Sequence, residues 1–342
     1  MKNVAVIGLG YFSQFHLAAW AAQPSVRLVA VADRDGDRVA AVSAEFGVKG
    51  CADADAVLRA ASPDIVDLVV PPQAHATLIR AFLKPGRVII CQKPFCTSLA
   101  EAEAITAEAE AAETTLIIHE NFRFQPWHRE VKRFLESGRM GRVYRARFTL
   151  RPGDGRGPEA YLARQPTFQQ MQRFLVQETA VHLVDVFRWL FGPVSDVYAD
   201  LRQLNPAIAG EDAGLLVMSH ADGTQSVFDG NRLSDHIAEN PRRTMGEMVV
   251  EGEGGALSLD GDGKLWFRAF GAQQVQPVPM TAPVDNDQFG GGCVAALIDH
   301  VVMAATTGAP FENTARQYLD VIRICEAAYQ SNEQQCRVSL AP

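Results

Sequence analysis

Short apolar runs alternate with amphipathic stretches through the first 120 residues. Strand-like runs fall at Val4–Gly8, Val26–Ala32, Ile65–Val70, Val88–Cys91 and Thr115–His119, rich in branched side chains. Helical spacing covers Ser13–Ala22, Arg34–Phe46, Ala74–Leu83 and Leu99–Ala112 between them. Fully apolar strands alternating with helices predict an α/β fold with a doubly wound parallel sheet. After Asn121 the rhythm changes. A helix over Pro126–Ser137 leads to a strand at Arg142–Leu150 and then a polar, glycine- and proline-rich stretch, Arg151–Thr167. A helix over Thr179–Leu190 follows, then strands at Val197–Gln203, Ala213–His220, Thr224–Asn231, Gly246–Glu251, Ala256–Leu259 and Leu265–Phe270. Ala221–Thr224 and Asp260–Gly263 carry hairpin-turn residues. A last helix is expected over Thr314–Asn332. The chain thus divides into residues 1–122, a parallel α/β domain, and residues 123–342, an α+β domain with a large open, mostly antiparallel sheet. One face of that sheet has no helix to cover it, which predicts a homodimer or homotetramer.

A chain of 342 residues suits two domains, each with its own core. A net charge of −8 argues against a nucleic-acid or anionic-membrane binder, since both need a basic surface. No apolar stretch stands out as long enough to span a bilayer, and Met1–Gly8 reads as a first strand, not a leader. The six cysteines are scattered without zinc spacing, so free thiols in a reducing cytoplasm and no metal site are expected.

Gly8-Leu9-Gly10-Tyr11-Phe12-Ser13 ends the first strand and opens the first helix, the context that a dinucleotide-binding loop requires. Gly8 permits the turn, Gly10 lets backbone approach a pyrophosphate, and Ser13 is small enough for close helix–strand contact. Asp33 ends the second strand, where a carboxylate would accept from the adenosine ribose; it would serve equally as a helix cap. Its charge favours NAD. Arg34 beside it keeps NADP as an alternative. Pro71 and His75 start a helix at the same sheet edge, where His75 reads either as a helix-start residue or as a nicotinamide-side contact.

Lys93 follows the buried run Val88–Cys91, and Pro94 stops the strand there. A cation held by a stiff backbone at a strand's carboxyl end can polarise a hydroxyl, although a surface lysine would look the same. Glu178 and His182 are four apart and project from one face of a predicted helix, with Asp185 adjoining. A carboxylate beside an imidazole suits a general base, whereas a plain helix pair of this kind is worth about tenths of a kcal/mol.

In order, GxGxxS, Asp33, Pro72-x-x-His75, Lys93-Pro94, Asn121-Phe122-Arg123-Phe124-x-Pro126 and Glu178-x-x-x-His182 resemble the Gfo/Idh/MocA oxidoreductase family. The resemblance extends to Phe289–Cys293 and the late helix. It implies a Rossmann domain plus an open sheet, NAD or NADP, and hydride transfer at a hydroxyl-bearing carbon of a small sugar, sugar acid or polyol. By that resemblance His182 accepts the proton with Glu178 beside it. Lys93 binds the hydroxyl and the nicotinamide ribose, often across a cis lysine–proline bond. Gly8, Gly10, Tyr11, Phe12, Ser13, Asp33, Arg34, Pro71, His75, Gln92, Lys93 and Asn121 would form the cofactor site. Arg123 would join Lys93, Glu178 and His182 at the substrate, with Asp229, Asn231, Arg232 and the 151–167 stretch as further contacts.

Two positions depart from the family pattern. Gln92 replaces a glutamate and removes a negative neighbour from Lys93, which would lower the lysine's pKa unless something compensates. Glu178 replaces an aspartate. Cys91–Phe95 and His119–Arg123, with Asn205–Ile208 and Gly210–Asp212, point to the pentose-oxidising, apiose dehydrogenase-like branch, in which an aldose becomes a lactone. An NAD-dependent glycosidase using transient oxidation and a non-catalytic dinucleotide-binding regulator are the competing functions.

Overall fold

The computed structural model of the chain describes residues 1–282, 284–285 and 288–340. They group into two compact units, residues Met1–Asn121 with Val294–Asp320, and Phe122–Cys293 with the chain from Val321 onward.

The first unit runs β1 (Lys2–Ile7), α1 (Ser13–Ala22), β2 (Val26–Ala32), α2 (Gly36–Phe46), β3 (Lys49–Cys51), α3 (Ala54–Ala60) and β4 (Ile65–Leu68). It continues through α4 (His75–Phe82), β5 (Val88–Gln92), α5 (Leu99–Ala111) and β6 (Thr115–His119). The strands order β3-β2-β1-β4-β5-β6, all in parallel. Between β1 and β4 the winding reverses, which opens a ligand crevice at the strands' carboxyl ends. Val4–Val6 and Ile89–Cys91 are fully buried, as runs covered on both faces must be. The sequence pattern misses β3 and α3. A three-residue edge strand has no readable period, and α3 is started locally by Asp53, whose carboxylate accepts from Ala56 N–H.

The second unit begins with α6 (Pro126–Glu136), β7 (Val143–Leu150), a π-helical turn at Leu175–Ala180 and α7 (Val181–Phe191). Next come β8 (Val194–Arg202), β9 (Ala213–His220), β10 (Gln225–Asn231), β11 (Gly246–Gly252), β12 (Gly255–Leu259), β13 (Leu265–Ala269) and β14 (Gln276–Val278). The chain then returns to the first unit with α8 (Cys293–Thr307) and the start of α9 (Ala315–Gln334), and the rest of α9 and a short β15 (Val338–Ser339) belong to the second. The sheet order is β14-β13-β12-β11-β7-β10-β9-β8-β15, antiparallel except for β7 against β10. Ala146, Phe148, Leu216, Met218 and Phe228 fill its buried face. On the other face one cross-strand row reads Tyr198, Val217, Val227, Arg147, Val249, Ser258 and Trp266. Every member of that row retains solvent exposure.

Two features differ from the sequence expectation. Val294–Asp320, which follows the 122/123 boundary by a wide margin, groups with the first unit. Its anchor is an antiparallel bridge from Thr314 to Ile117, with Ile118 N–H donating to the Asn313 carbonyl (2.8 Å) and Asn313 Nδ2 donating to the Glu120 carbonyl (2.7 Å). Residues Phe289–Thr307 are also long and apolar enough to cross a membrane by length and composition, a stretch the sequence reading passed over. Val294, Leu297, Ile298, Val301 and Val302 recur at helical spacing and are buried, the signature of a core-facing helix.

Candidate active site

Gly8 turns the chain out of β1 at φ +95°, and a Cβ there would lie 2.2 Å from the Val69 carbonyl oxygen. Only glycine fits. Gly10 is the opposite case: a Cβ would meet nothing within 4 Å, so the backbone is open to a pyrophosphate at the start of α1. Ser13 is buried, and its Oγ donates to the Gly10 carbonyl at 2.7 Å, which stiffens the loop that a third glycine would merely allow to approach. Phe12 occupies the cap position of α1 and Tyr11 is exposed. Asp33 Oδ2 accepts from Leu9 N–H (2.7 Å) and Oδ1 from Asp35 N–H (2.9 Å). It therefore fastens the glycine loop to the end of β2. The helix cap is Asp35, which accepts from Asp37 and Arg38 N–H groups. Each Asp33 oxygen keeps a lone pair for a ribose hydroxyl, and Arg34 is exposed beside it. Asn121 adds a buried Nδ2 donor with no partner among the described residues, which suits an incoming acceptor. An open glycine backbone, a fastened carboxylate and an unmatched donor together fit a dinucleotide.

Lys93 sits half-buried just beyond β5, and the Lys93–Pro94 bond is cis. His75 braces the chain that follows. It is fully buried, with Nδ1 2.8 Å from the Phe95 carbonyl and Nε2 2.8 Å from the Val70 carbonyl. Burial pushes its pKa down, and a neutral ring can donate to only one of the two. Both ring nitrogens thus face protein carbonyls, which makes His75 a strut between the Pro71 loop and the Lys93 loop. Gln92 is buried, its Nε2 2.8 Å from His16 Nε2; His16 Nδ1 lies 2.7 Å from Asp67 Oδ2.

In the second unit His182 is buried near the start of α7, its imidazole stacked flat on Phe122 at 4.0 Å with planes 7° apart. His128 Nδ1 lies 2.8 Å from the Phe122 carbonyl and fixes that residue's backbone. Glu178 falls within the π turn, so it does not continue the α-helical face of His182 as the spacing suggested. The turn is anchored from elsewhere: the Glu211 carbonyl accepts from Leu175 N–H and Glu211 Oε1 from Val176 N–H. A π turn near a functional side chain is a common device for re-aiming it.

Arg123 and Asp185 find each other instead. Both are buried, and Nε of Arg123 donates to Asp185 Oδ2 (2.8 Å) while Nη2 donates to Oδ1. Arg123, expected at the substrate, has its fork turned onto Asp185, because a buried guanidinium needs a matching carboxylate more than it needs a neutral ligand. Arg232 has a similar fate. It is buried among Tyr161, Phe168 and Phe174 and donates to Asp154, Tyr161 Oη and Thr179 Oγ1, which ties the 151–167 stretch to the π turn. Asp229 is paired with Arg151, and the Asn231 side chain accepts from Leu233 N–H. Asn205 donates to the Gly155 and Gly157 carbonyls, while Asp212 accepts from Leu204 and Asn205 N–H groups. The Asn205–Asp212 motif therefore clamps the same stretch.

Four residues escaped sequence reasoning: His16, Asp67 and His119 in the first unit, and Phe122 as a stacking partner in the second. A charge inside the apolar strand Ile65-Val66-Asp67-Leu68 was the one available signal, since a buried carboxylate demands partners.

Comparison with known proteins agrees with this fold. Residues 2–120 match the NAD-binding Rossmann domain of an oxidoreductase family, and residues 128–258 match the GFO/IDH/MocA C-terminal domain. A D-apiose dehydrogenase of Paraburkholderia graminis is 32% identical over 96% of this chain and 86% of its own length. An inositol 2-dehydrogenase of Rhizobium meliloti is 26% identical over 98% of each chain. Among solved structures, an oxidoreductase from Agrobacterium radiobacter in complex with NAD+, L-tartaric acid and magnesium superposes with a TM-score of 0.89 at 26% identity. That likeness covers 99% of this chain and 98% of the other. With both of its domains matched and a relative this similar along nearly its full length, the chain belongs to the Gfo/Idh/MocA family of NAD-binding oxidoreductases.

Proposed function

We propose that the protein oxidises a hydroxyl-bearing carbon of a small sugar or polyol with NAD, and that an aldose converted to its lactone is the favoured substrate. The similarity to a D-apiose dehydrogenase across 96% of the chain carries the substrate class. NAD, when bound, supplies the hydride acceptor. Gly8, Gly10 and Ser13 would hold its pyrophosphate, Asp33 its adenosine ribose and Asn121 a further polar group. Asp33 disfavours a 2′-phosphate by charge, hence NAD over NADP.

The protein's own part is proton and charge management. Lys93 donates a hydrogen bond to the substrate hydroxyl and stabilises the alkoxide as it forms. A ring nitrogen of His182 takes the hydroxyl proton, with the ring plane held by Phe122. Glu178 supports that transfer from the π turn. Arg123 and Asp185 act as positioning residues, anchoring α7 beneath His182.

Oligomerisation through the open face of the nine-strand sheet is supported by the partly exposed apolar residues Tyr198, Val217, Val227, Val249 and Trp266, which flank Arg147 and Ser258 in one row. The six free thiols suit a reducing cytoplasm. The test is NADH formation from apiose, other aldoses, aldonates and inositols, with NAD and NADP in parallel. Saturable turnover with a sugar is expected. Cleavage of an aryl glycoside without net NADH, or cofactor binding with no turnover on any sugar, would overturn the assignment.

A further inference from the structure

Asp67 is a charged residue within a strand that is otherwise apolar, and it is fully buried. Its Oδ2 lies 2.7 Å from His16 Nδ1 and 2.7 Å from Trp20 Nε1, both on α1. An indole nitrogen can only donate, so Oδ2 is an acceptor there. A carboxylate in that role draws the imidazole proton to Nδ1 and leaves a lone pair on Nε2. That nitrogen faces Gln92 Nε2 at 2.8 Å, and an amide nitrogen also only donates. His16 is fully buried and Gln92 nearly so, which keeps water from competing for either bond. Asp67 Oδ1 has no partner among the described residues, so the hydrogen bonds of the carboxylate all run through Oδ2.

We propose that Asp67, His16 and Gln92 form a positioning chain for Lys93. The buried carboxylate sets the tautomer of His16, the His16 lone pair holds the Gln92 amide, and that amide fixes the last residue of β5 immediately before the lysine. The chain rests on the role given to Lys93 above. It also supplies a reason for glutamine at position 92. A glutamate there would set two acceptors 2.8 Å apart unless His16 took up a proton at Nε2. Glutamine needs no such extra proton, because its amide donates directly to the imidazole lone pair. The titratable groups facing His16 are Asp67 on β4 and His119 on β6, whose ring lies 4.2 Å from it; α1 presents Phe12 and Trp20.

Nitrogen-15 spectra of the histidines in the cofactor-free protein test the chain without any substrate. His16 should carry its proton on Nδ1 with Nε2 as the acceptor, and Gln92→Glu should bring a proton onto Nε2. The kinetic arm uses Gln92→Met, which keeps bulk but cannot donate. It should lower kcat about tenfold, the signature of a misplaced group. Gln92→Glu should add an ionisation to the pH profile of kcat/KM. A cationic or Nε2-protonated His16 in the unaltered protein overturns the chain, as does a Gln92→Met kcat within twofold of the original. Because the spectra need no turnover, an enzyme inert toward every sugar would count against the dehydrogenase assignment and not against the chain.

Discussion

The Phe122 ring lies parallel to the His182 imidazole, centroids 4.0 Å apart and planes 7° apart. A flat stack holds the plane of a histidine ring at modest energetic benefit, about 0.5–1.5 kcal/mol for an aromatic pair. For the proposed base its value lies in orientation, because a base must present its lone pair along one line. Phe122 is itself held at its carbonyl by His128 and lies next to Arg123, which is locked to Asp185. Three successive constraints thus converge on one imidazole.

Phe122→Leu keeps an apolar side chain and loses the stack. We expect kcat to fall about tenfold with the KM for NAD little changed, since a misaimed base costs rate and not cofactor affinity. Steady-state kinetics decide it, and an unchanged kcat would show that the stack is only packing.

Lys93→Met should lower kcat by roughly 10²–10³, the usual loss when a group that stabilises developing charge is removed. NAD binding, followed by fluorescence quenching, should stay within a few-fold. Near-normal turnover in this variant would remove Lys93 from the chemistry.

Asp33→Ser should raise the ratio of NADP to NAD specificity by about tenfold or more, because it removes the charge that meets a 2′-phosphate while Arg34 stays available. Some NAD affinity should also be lost, as Asp33 Oδ2 no longer fastens Leu9. Parallel kcat/KM values for the two cofactors give the answer.

Acid should unfold the protein early. Burial pushes the His128 pKa from 6.5 down to about 4, and those of His75 and His220 downward too. Above pH 6.5 His128 is neutral both folded and unfolded, and its contribution is fully present. As pH falls from there toward 4 the unfolded chain takes a proton that the fold refuses, so stability is lost through this window. The shift corresponds to about 3 kcal/mol for His128 at the low end. Denaturant melts across the window should show the slope, and His128→Gln should flatten it.

Val217→Arg, in the middle of the exposed row, should reduce the oligomer to a smaller species by light scattering without changing the monomer's secondary structure. A chain that is monomeric before the substitution would sink the proposed interface.

Much of the fold was legible in the chain itself. The glycine loop, Asp33 at the end of β2 and Lys93 beyond β5 could be placed because each obeys a local rule: a turn that needs glycine, a strand that ends, a proline that stops it. The strands and helices of the first 120 residues matched within a few residues for the same reason, apart from β3 and α3. The core-facing spacing of α8 was also present and simply not read.

What the chain alone decided, then, was the order of elements and the residues offered at the strand ends, because these depend on neighbours within a turn or two. Tertiary structure alone decided how those residues are held. Arg123 pairs with Asp185 across 62 positions, Gln92 meets His16 across 76, and Glu211 anchors a π turn that begins 36 residues earlier, at Leu175. Buried polar groups must find partners wherever the fold brings them, and no periodicity along the chain records which partner that is.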